Sequence, residues 1–284
     1  MLFRTICLAS MMSLAAIAQA EPAAEVKSKD GTRIAYDKQG KGPALILVGG
    51  ALSDRAGAAE LAKLLAPRFT VYSYDRRGRG DSGDTPPWSA DREIEDLAAL
   101  LAAAGGTAYL FGASSGAVLA ADAANRLPGF QRLALYEPPF IVDDTHAPRP
   151  PTFLAETEAL IAAGDTGGAV KKFLRSVDMP GFAVQILALL PPFRKLKAAA
   201  PTLPYDLRIL GDTGRGRPLD PERWSGVSAP AIVLDGGKSP VYMRNAAKAF
   251  SEALPKAEYR TLPGQTHLVK AAVVAPAVRE FLGG

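Results

Sequence analysis

Short apolar segments with the character of buried strands alternate with segments of helical spacing along most of this chain. Residues 44–48 form a continuous apolar run, which is typical of a strand covered on both faces. Residues 91–104 have apolar positions at helical spacing, and residues 107–111 and 132–136 repeat the strand pattern. This alternation predicts right-handed crossovers and an α/β fold, with a mostly parallel sheet and helices on both faces.

The alternation stops near residue 140. From residue 141 to residue 227 the chain breaks into helical pieces separated by prolines, without a convincing strand. Residues 231–235 then resume the strand pattern. We therefore predict a single α/β core made of residues 21–140 and 228–284, interrupted by a helical cap insertion over residues 141–227.

The first twenty residues have the composition of a secretory leader. Arg4 supplies the positive start, residues 6–17 are largely apolar, and Ala18-Gln19-Ala20 matches a small-x-small cleavage site. The apolar stretch is shorter than the roughly 20 residues that span a bilayer. We predict a signal peptide over residues 1–20, a cut after Ala20, and a periplasmic or secreted product without stable membrane insertion.

Composition argues against several classes of function. The formal net charge is +4, and the basic residues are scattered along the chain, so no nucleic-acid partner is predicted. The only cysteine, Cys7, lies in the leader, so the mature chain would have no disulfide. No cluster of histidine, cysteine and carboxylate residues has metal-ligand spacing, and no dinucleotide fingerprint is present. We predict no metal and no organic cofactor.

A candidate nucleophile lies between a predicted strand and a predicted helix. Residues 112–116, Gly-Ala-Ser-Ser-Gly, match G-x-S-x-G in the strand–turn–helix context that the motif requires. The small neighbours leave room for Ser114 on a sharp turn. The alternative is a glycine-rich turn that only packs the helix onto the strand.

A serine hydroxyl needs a base to accept its proton, and histidine suits neutral pH. The chain has two histidines, His146 and His267. His267 follows the last predicted strand, where the chain order Ser, acid, His puts the base. His146 lies in a proline-rich loop, where a solvated surface position is the simpler interpretation.

Acyl transfer through a serine also needs two N–H donors for the oxyanion. The candidates are the amide of Ser115, which follows the nucleophile, and the amide of Ala51, which follows Gly49-Gly50 after the first buried strand. Gly50 and Phe140 are expected to border the substrate pocket. The two glycines are also compatible with a simple strand-to-helix turn.

Four segments resemble the α/β-hydrolase superfamily, and the resemblance extends over essentially the whole predicted mature chain: residues 47–51, 74–82, 112–116 and 264–267. Residues 74–82, Tyr-Asp-Arg-Arg-Gly-Arg-Gly-Asp-Ser, are similar to the family's Y-D-x-R-G-x-G-x-S segment, which implies a loop that shapes the wall near the nucleophile. From its residues alone this segment would be a basic surface turn. Many members have His-Gly in place of Gly49-Gly50.

At the triad acid the chain departs from the family pattern, because Ser239 stands where the family commonly has its aspartate. A carboxylate elsewhere on the same sheet edge is required to orient the imidazole. Glu137 is the first choice, since some relatives have their acid after the corresponding strand. Asp235 is the second choice, and a dyad assisted only by Ser239 is the third.

The expected reaction is hydrolysis of a small apolar carboxylic ester or lactone through an acyl-enzyme. The alternatives are amide, carbon–carbon bond or perhydrolase chemistry on the same fold, or a binding protein whose triad has decayed. Apolar cap residues are expected either to line a substrate pocket or to anchor the cap helices: Phe153, Phe173, Phe182, Leu187, Leu189, Leu190 and Phe193.

Overall fold

The computed structural model describes residues 24–283. Eight strands form one sheet in the order β1-β2-β4-β3-β5-β6-β7-β8. The predicted leader, its cleavage site and Cys7 lie outside the described residues. The strands are β1 (Ala24–Lys27), β2 (Arg33–Gln39), β3 (Ala44–Val48), β4 (Thr70–Tyr74), β5 (Ala108–Ala113), β6 (Phe130–Tyr136), β7 (Ala231–Gly236) and β8 (Ala257–Leu262).

The helices pack on both faces of this sheet or follow β6 as an insertion. They are α1 (Ala59–Leu65), α2 (Ala90–Ala103), α3 (Ser115–Arg126), α4 (Phe153–Ala162), α5 (Thr166–Ser176), α6 (Gly181–Ala188), α7 (Pro192–Ala199), α8 (Leu203–Leu210), α9 (Val241–Ala253) and α10 (Ala271–Gly283). The predicted fold class is confirmed.

The sheet is antiparallel at one edge and parallel elsewhere. β1 pairs with β2 and β2 with β4 in antiparallel fashion, whereas all pairs from β4 through β8 are parallel. The carboxyl ends of β3, β5, β6, β7 and β8 therefore meet at one edge of the sheet. In open α/β sheets this edge is where catalytic loops gather.

The core consists of two apolar layers, one on each face of the sheet. Leu97 and Val118, from α2 and α3, pack with β-strand residues on one face. Leu65 and Val278, from α1 and α10, pack on the other face. Strands covered on both sides must be apolar at successive positions, and Leu45, Ile46, Leu47 and Val48 are all buried.

Helices α4 to α8 lie between β6 and β7 in the chain, in the region predicted to be a cap. They have a small apolar core of their own, which includes Val170, Val184 and Phe193. Helix α8 joins them to the main domain through contacts with α2 and α3. Within residues 24–283, no helix combines the length and hydrophobicity needed to cross a membrane.

Candidate active site

Ser114 lies at the turn between β5 and α3 with a strained backbone. Its φ is 57° and its ψ is −130°, a conformation that favours glycine. Gly116 makes this turn possible, because a Cβ atom there would lie 2.3 Å from the Val48 carbonyl oxygen. The turn projects a half-buried serine beyond the carboxyl end of β5.

His267 is held by a carboxylate. Its Nδ1 atom lies 2.9 Å from Oε2 of Glu137, which is completely buried, whereas the imidazole is 28% exposed. With Nδ1 protonated, the ring donates to the carboxylate and leaves Nε2 free to accept a proton. Nε2 forms no hydrogen bond with any residue from 24 to 283. The arrangement can therefore orient the imidazole and stabilise its charged form.

Two hydrogen bonds join Ser114 to the histidine loop through the end of β6, and a third holds Glu137 against β7. The Ser114 amide donates to the Tyr136 carbonyl oxygen at 2.8 Å, and Glu137 follows directly. The Tyr136 hydroxyl donates to the Thr266 carbonyl oxygen at 2.6 Å. The Gly236 amide donates to Oε1 of Glu137 at 2.6 Å, so both carboxylate oxygens are engaged. The Glu137–His267 pair and the Ser114 turn are thus both anchored to the end of β6, and no hydrogen bond between Ser114 and His267 is present in the described residues.

Asp235 and Ser239, the two other candidates for the partner of His267, have different surroundings. Oδ2 of Asp235 accepts a hydrogen bond from the Tyr259 hydroxyl at 2.7 Å, and its other oxygen is buried without a hydrogen-bond partner. The Ser239 hydroxyl is likewise buried without a partner. Among the described residues, Glu137 is the only carboxylate that contacts the imidazole.

The loop after β3 faces the serine. A Cβ atom on Gly50 would lie 2.8 Å from Cβ and 3.4 Å from Oγ of Ser114, so only glycine allows this approach. Ala51 follows in the same loop, and Ser115 begins α3. Within residues 24–283 no acceptor bonds to either amide N–H. Both donors are available to an oxyanion near Ser114.

An arginine from the turn after β4 fixes the loop backbone. Nη1 of Arg79 donates to the Gly50 carbonyl oxygen at 2.6 Å, and the Ser53 hydroxyl donates to the same oxygen at 2.6 Å. The Gly50 carbonyl and the Ala51 N–H belong to one planar trans peptide and point in opposite directions. Holding the carbonyl therefore sets the direction of the Ala51 N–H.

Asp206 of α8 connects the cap region to this arginine. Its carboxylate accepts hydrogen bonds from Arg79 at 2.6 Å, from Arg76 at 2.7 Å and from the Ser115 hydroxyl at 2.7 Å. Burial alone would raise the pKa of Asp206, but the two guanidinium groups hold this pKa below its ordinary value. Arg76 also pairs with buried Glu93 at 2.6 Å. A charged network thus lies beneath the loop that follows β3.

The arginine turn is buried. Arg76, Arg77 and Arg79 are at most 2% exposed, so the interpretation from residues alone, a basic surface turn, is wrong. Each guanidinium is neutralised by carboxylates from other elements, and Arg77 pairs with Asp96 of α2 at 2.7 Å. The turn lies near Ser114, as the family resemblance implies, because Arg79 contacts the Gly50 loop that faces the serine.

A cavity of about 640 Å³ opens between the loop after β3, the end of β5 and the segment that contains His267. Its lining includes Gly50, Ala113, His267 and Leu268. A cavity of about 710 Å³ at the opposite end of the sheet is lined by Arg68, Phe69 and Arg279, and contains no comparable group of residues.

Phe140 does not border this cavity, contrary to expectation. It has no exposed surface and packs edge-on against Phe250, with ring centroids 5.3 Å apart, and also against Trp224. Two prolines before it turn the chain back into the core. Phe140 is therefore a core residue.

Sequence reasoning missed Asp206. Leu203, Asp206, Leu207 and Leu210 lie on one face of α8 by their spacing, and all four are buried. An acidic residue on the apolar face of a helix is a signal that it has a charged partner. The partners could not be read from the sequence, because Arg79 is 127 positions away.

The described residues contain no group of three or more His, Cys, Asp and Glu side chains that could hold a metal ion. The groups available at this site are the Ser114 hydroxyl, the His267 imidazole, the Glu137 carboxylate and the backbone amides of Ala51 and Ser115.

Comparison with known proteins places these features in a family. Residues 45–277 match the alpha/beta hydrolase family model. Over 258 residues the chain is 30% identical to a pimeloyl-(acyl-carrier protein) methyl ester esterase from Stenotrophomonas maltophilia, covering 87% of this chain and 95% of the esterase.

A 117-residue stretch is 41% identical to N-formylmaleamate deformylase from Pseudomonas putida; it covers 39% of this chain and less than half, 44%, of the deformylase. The crystal structure of an alpha/beta hydrolase from Sphaerobacter thermophilus has a TM-score of 0.85 and 47% identity, and the match covers 91% of this chain and all of that one. By its fold and by these matches, this chain belongs to the alpha/beta hydrolase family.

Proposed function

We infer that this chain is a serine hydrolase that cleaves a small, apolar carboxylic ester or lactone through an acyl-enzyme. The observation that supports this most directly is the contact between Glu137 and His267, 2.9 Å apart, next to the strained serine turn. A buried carboxylate on Nδ1 leaves Nε2 as the base, and a half-buried serine at a sharp turn is the group that such a base activates.

In the proposed reaction, Oγ of Ser114 forms a bond to the carbonyl carbon of the ester while His267 accepts the hydroxyl proton. The Ala51 and Ser115 amides stabilise the resulting oxyanion. The bond to the alkoxy group then breaks, and the imidazolium returns the proton to the leaving alcohol. Water, deprotonated by His267, attacks the acyl-enzyme and releases the carboxylic acid, which restores the serine hydroxyl.

The Glu137 carboxylate stabilises the imidazolium by its charge. Arg79, Ser53 and Asp206 do not touch the substrate in this scheme. They position the Gly50–Ala51 peptide, so the oxyanion site exists before substrate binds. Such preorganisation lowers the barrier because the donors need not reorient during the reaction.

A fluorophosphonate probe, which reacts with activated serines, tests the proposal. Wild type should label at Ser114, Ser114→Ala should not, and the matched control Ser239→Ala should label normally. Labelling of Ser114→Ala to the wild-type extent would contradict the assignment. Absence of labelling and of hydrolysis over a panel of esters would favour the alternative of a binding protein with a decayed triad.

A panel of p-nitrophenyl esters and lactones of graded size would identify the substrate class. The cavity of about 640 Å³ lined by Ala113 and His267 is large enough for a small or medium acyl or aryl group. We expect short acyl chains to give a higher kcat/KM than long ones.

Hydrolysis of an N-formyl amide is a second candidate. It is favoured by the 41% identity to the Pseudomonas putida deformylase over 117 residues. The same nucleophile and base would act on the formyl carbon, with an amine as the leaving group. Adding N-formyl amides to the substrate panel separates the two candidates by kcat/KM.

A further inference from the structure

Helix α6 exposes a row of large apolar side chains on the surface of the cap region. Phe182 is 73% exposed, Ile186 56%, Leu189 86% and Leu190 48%. These positions are i, i+4, i+7 and i+8, so they form one stripe along the helix and its final turn. The opposite side of α6 buries Val184 among the apolar residues of the neighbouring helices.

The stripe is not needed for packing of the cap. Phe182, Leu189 and Leu190 were expected either to line a substrate pocket or to anchor cap helices, but their side chains point into solvent. Soluble proteins seldom expose a contiguous apolar row of this kind without a partner that covers it.

The helices on either side of the stripe are strongly basic. Residues 166–200 contain six Lys and Arg residues and one Asp, whereas the whole chain has 33 basic and 29 acidic residues. The rest of the chain is therefore slightly acidic, and the entire positive excess lies on α5 and α7. Both helices pack against α6. The six basic residues are Lys171, Lys172, Arg175, Arg194, Lys195 and Lys197.

These basic side chains have few partners within the molecule. Among the described residues, only Lys172 forms an ion pair, with Glu156 of α4. Arg194 and Lys195 lie in α7, four and five positions after Leu190, and the Phe193 amide donates to the Leu190 carbonyl oxygen, so the chain turns directly from the stripe into α7. An apolar row flanked by unpaired positive charge is the pattern of a helix that lies in the interface of an anionic bilayer.

We propose that the α6 stripe and the basic residues of α5 and α7 form a docking surface for an anionic lipid bilayer. The apolar side chains enter the boundary between headgroups and acyl chains, and the Lys and Arg side chains contact the lipid phosphates. A second copy of the chain fits this surface less well, because a symmetric dimer would bring two basic faces together. The proposal does not depend on the proposed hydrolase activity.

Sedimentation of the full chain with vesicles tests this surface. Vesicles of phosphatidylcholine and phosphatidylglycerol should bind the protein, and pure phosphatidylcholine vesicles should bind it at least tenfold more weakly. Raising NaCl from about 0.05 to 0.5 M should weaken binding, because salt screens exposed charge. Residues 1–23 are the same in every variant, so a difference in binding between variants reports on the α6 surface and not on that segment.

Two double variants separate the apolar and electrostatic contributions. Phe182→Ser with Leu189→Ser, and Arg194→Gln with Lys195→Gln, should each weaken vesicle binding about tenfold or more. The matched controls lie on the core domain: Val241→Ser replaces an apolar residue that is 49% exposed, and Lys63→Gln with Lys256→Gln removes two exposed charges. Both controls should bind like wild type, as should Ser114→Ala.

Three results would overturn the proposal. One is equal binding of all variants to anionic vesicles. Another is no binding to anionic vesicles; a concentration-dependent dimer that the stripe variant abolishes would then identify a second copy as the occupant. The third is a stripe variant that binds vesicles like wild type but has a lower kcat/KM on a soluble ester, since the stripe would then be part of the substrate entrance.

Discussion

Glu137 Oε2 lies 2.9 Å from Nδ1 of His267, although the two residues are 130 positions apart in the chain. If this contact orients the base, Glu137→Gln should lower kcat by about 10³- to 10⁴-fold, with little change in KM. The amide preserves the shape but cannot stabilise the imidazolium by charge. Steady-state kinetics on a p-nitrophenyl ester measures the effect, and a loss below tenfold would contradict the role.

Asp235→Asn is the matched control for that substitution. Asp235 is as buried as Glu137 and ends the neighbouring strand, but its carboxylate accepts from Tyr259 and does not contact the imidazole. We expect kcat to change by less than about tenfold, because the catalytic charge is elsewhere. A larger loss than that of Glu137→Gln would reverse the assignment of the acid.

The fold could be predicted from the sequence because the signals are local. A strand such as β3 is an uninterrupted apolar run, and helices such as α2 have apolar residues at regular spacing. The same holds for Ser114, which a motif between strand and helix identifies. Glu137 could be proposed only from the family resemblance, since a carboxylate before two prolines is also typical of a turn.

The parts that could not be predicted depend on contacts distant in sequence. Arg79 and Asp206 are both buried. Arg79 alone would be taken as a solvated charge, and the place of Asp206 on the apolar face of α8 predicts a charged partner without identifying it. Only the packing of α8 against the main domain brings them to 2.6 Å. Phe140 was expected to border the pocket. Its direction is set by packing against Trp224 and Phe250, which come much later in the chain, so it could not be read from the sequence.

Gly50→Ala should reduce activity strongly. The new methyl group would lie 2.8 Å from Cβ of Ser114 and 2.9 Å from the Ala113 carbonyl oxygen, so the serine or the oxyanion loop must move. We expect kcat/KM to fall about 100-fold or more, since displacements near 1 Å have effects of this size. Gly181→Ala is the control, because nothing lies within 4 Å of its added methyl group. Equal activity of both variants would refute the close approach.

Arg79→Lys tests the positioning of the Ala51 amide. A lysine ammonium cannot bond the Gly50 carbonyl, Thr202 and Asp206 together with the planar geometry of the guanidinium. We expect kcat to fall about 10- to 100-fold with KM within about threefold, because the oxyanion forms only during the reaction. The control is Arg223→Lys. Arg223 donates to Asp122 of α3 and, within residues 24–283, forms no hydrogen bond with the loop after β3, so this variant should leave kcat unchanged. A rise in KM alone would indicate a role in substrate binding.

Asp206→Asn should destabilise the fold in a pH-dependent way. Loss of a buried charge that pairs with Arg79 and Arg76 costs about 3–5 kcal/mol at neutral pH. The pKa of Asp206 is lowered in the folded state, so its ionisation stabilises the fold above its unfolded pKa of about 3.9. The difference in free energy of unfolding between wild type and Asp206→Asn should stay constant from about pH 8 to 5. It should then shrink as the pH falls through the lower folded pKa. Urea denaturation at several pH values measures it, and a difference that grows on acidification would contradict this sign.

Replacing the serine by glycine should stabilise the fold while abolishing activity. Ser114 has a φ of 57° and a ψ of −130°, which costs a residue with a Cβ atom of order 1–3 kcal/mol, whereas glycine adopts it without strain. Glycine also lowers the free energy of unfolding by about 0.5–1 kcal/mol, because its unfolded state is more flexible. We therefore expect Ser114→Gly to exceed Ser114→Ala by about 1 kcal/mol in free energy of unfolding. The two variants remove the same hydroxyl, so the comparison isolates the backbone. Equal stability would mean that the turn after β5 is unstrained, and the serine would then lack the feature that presents it to a substrate.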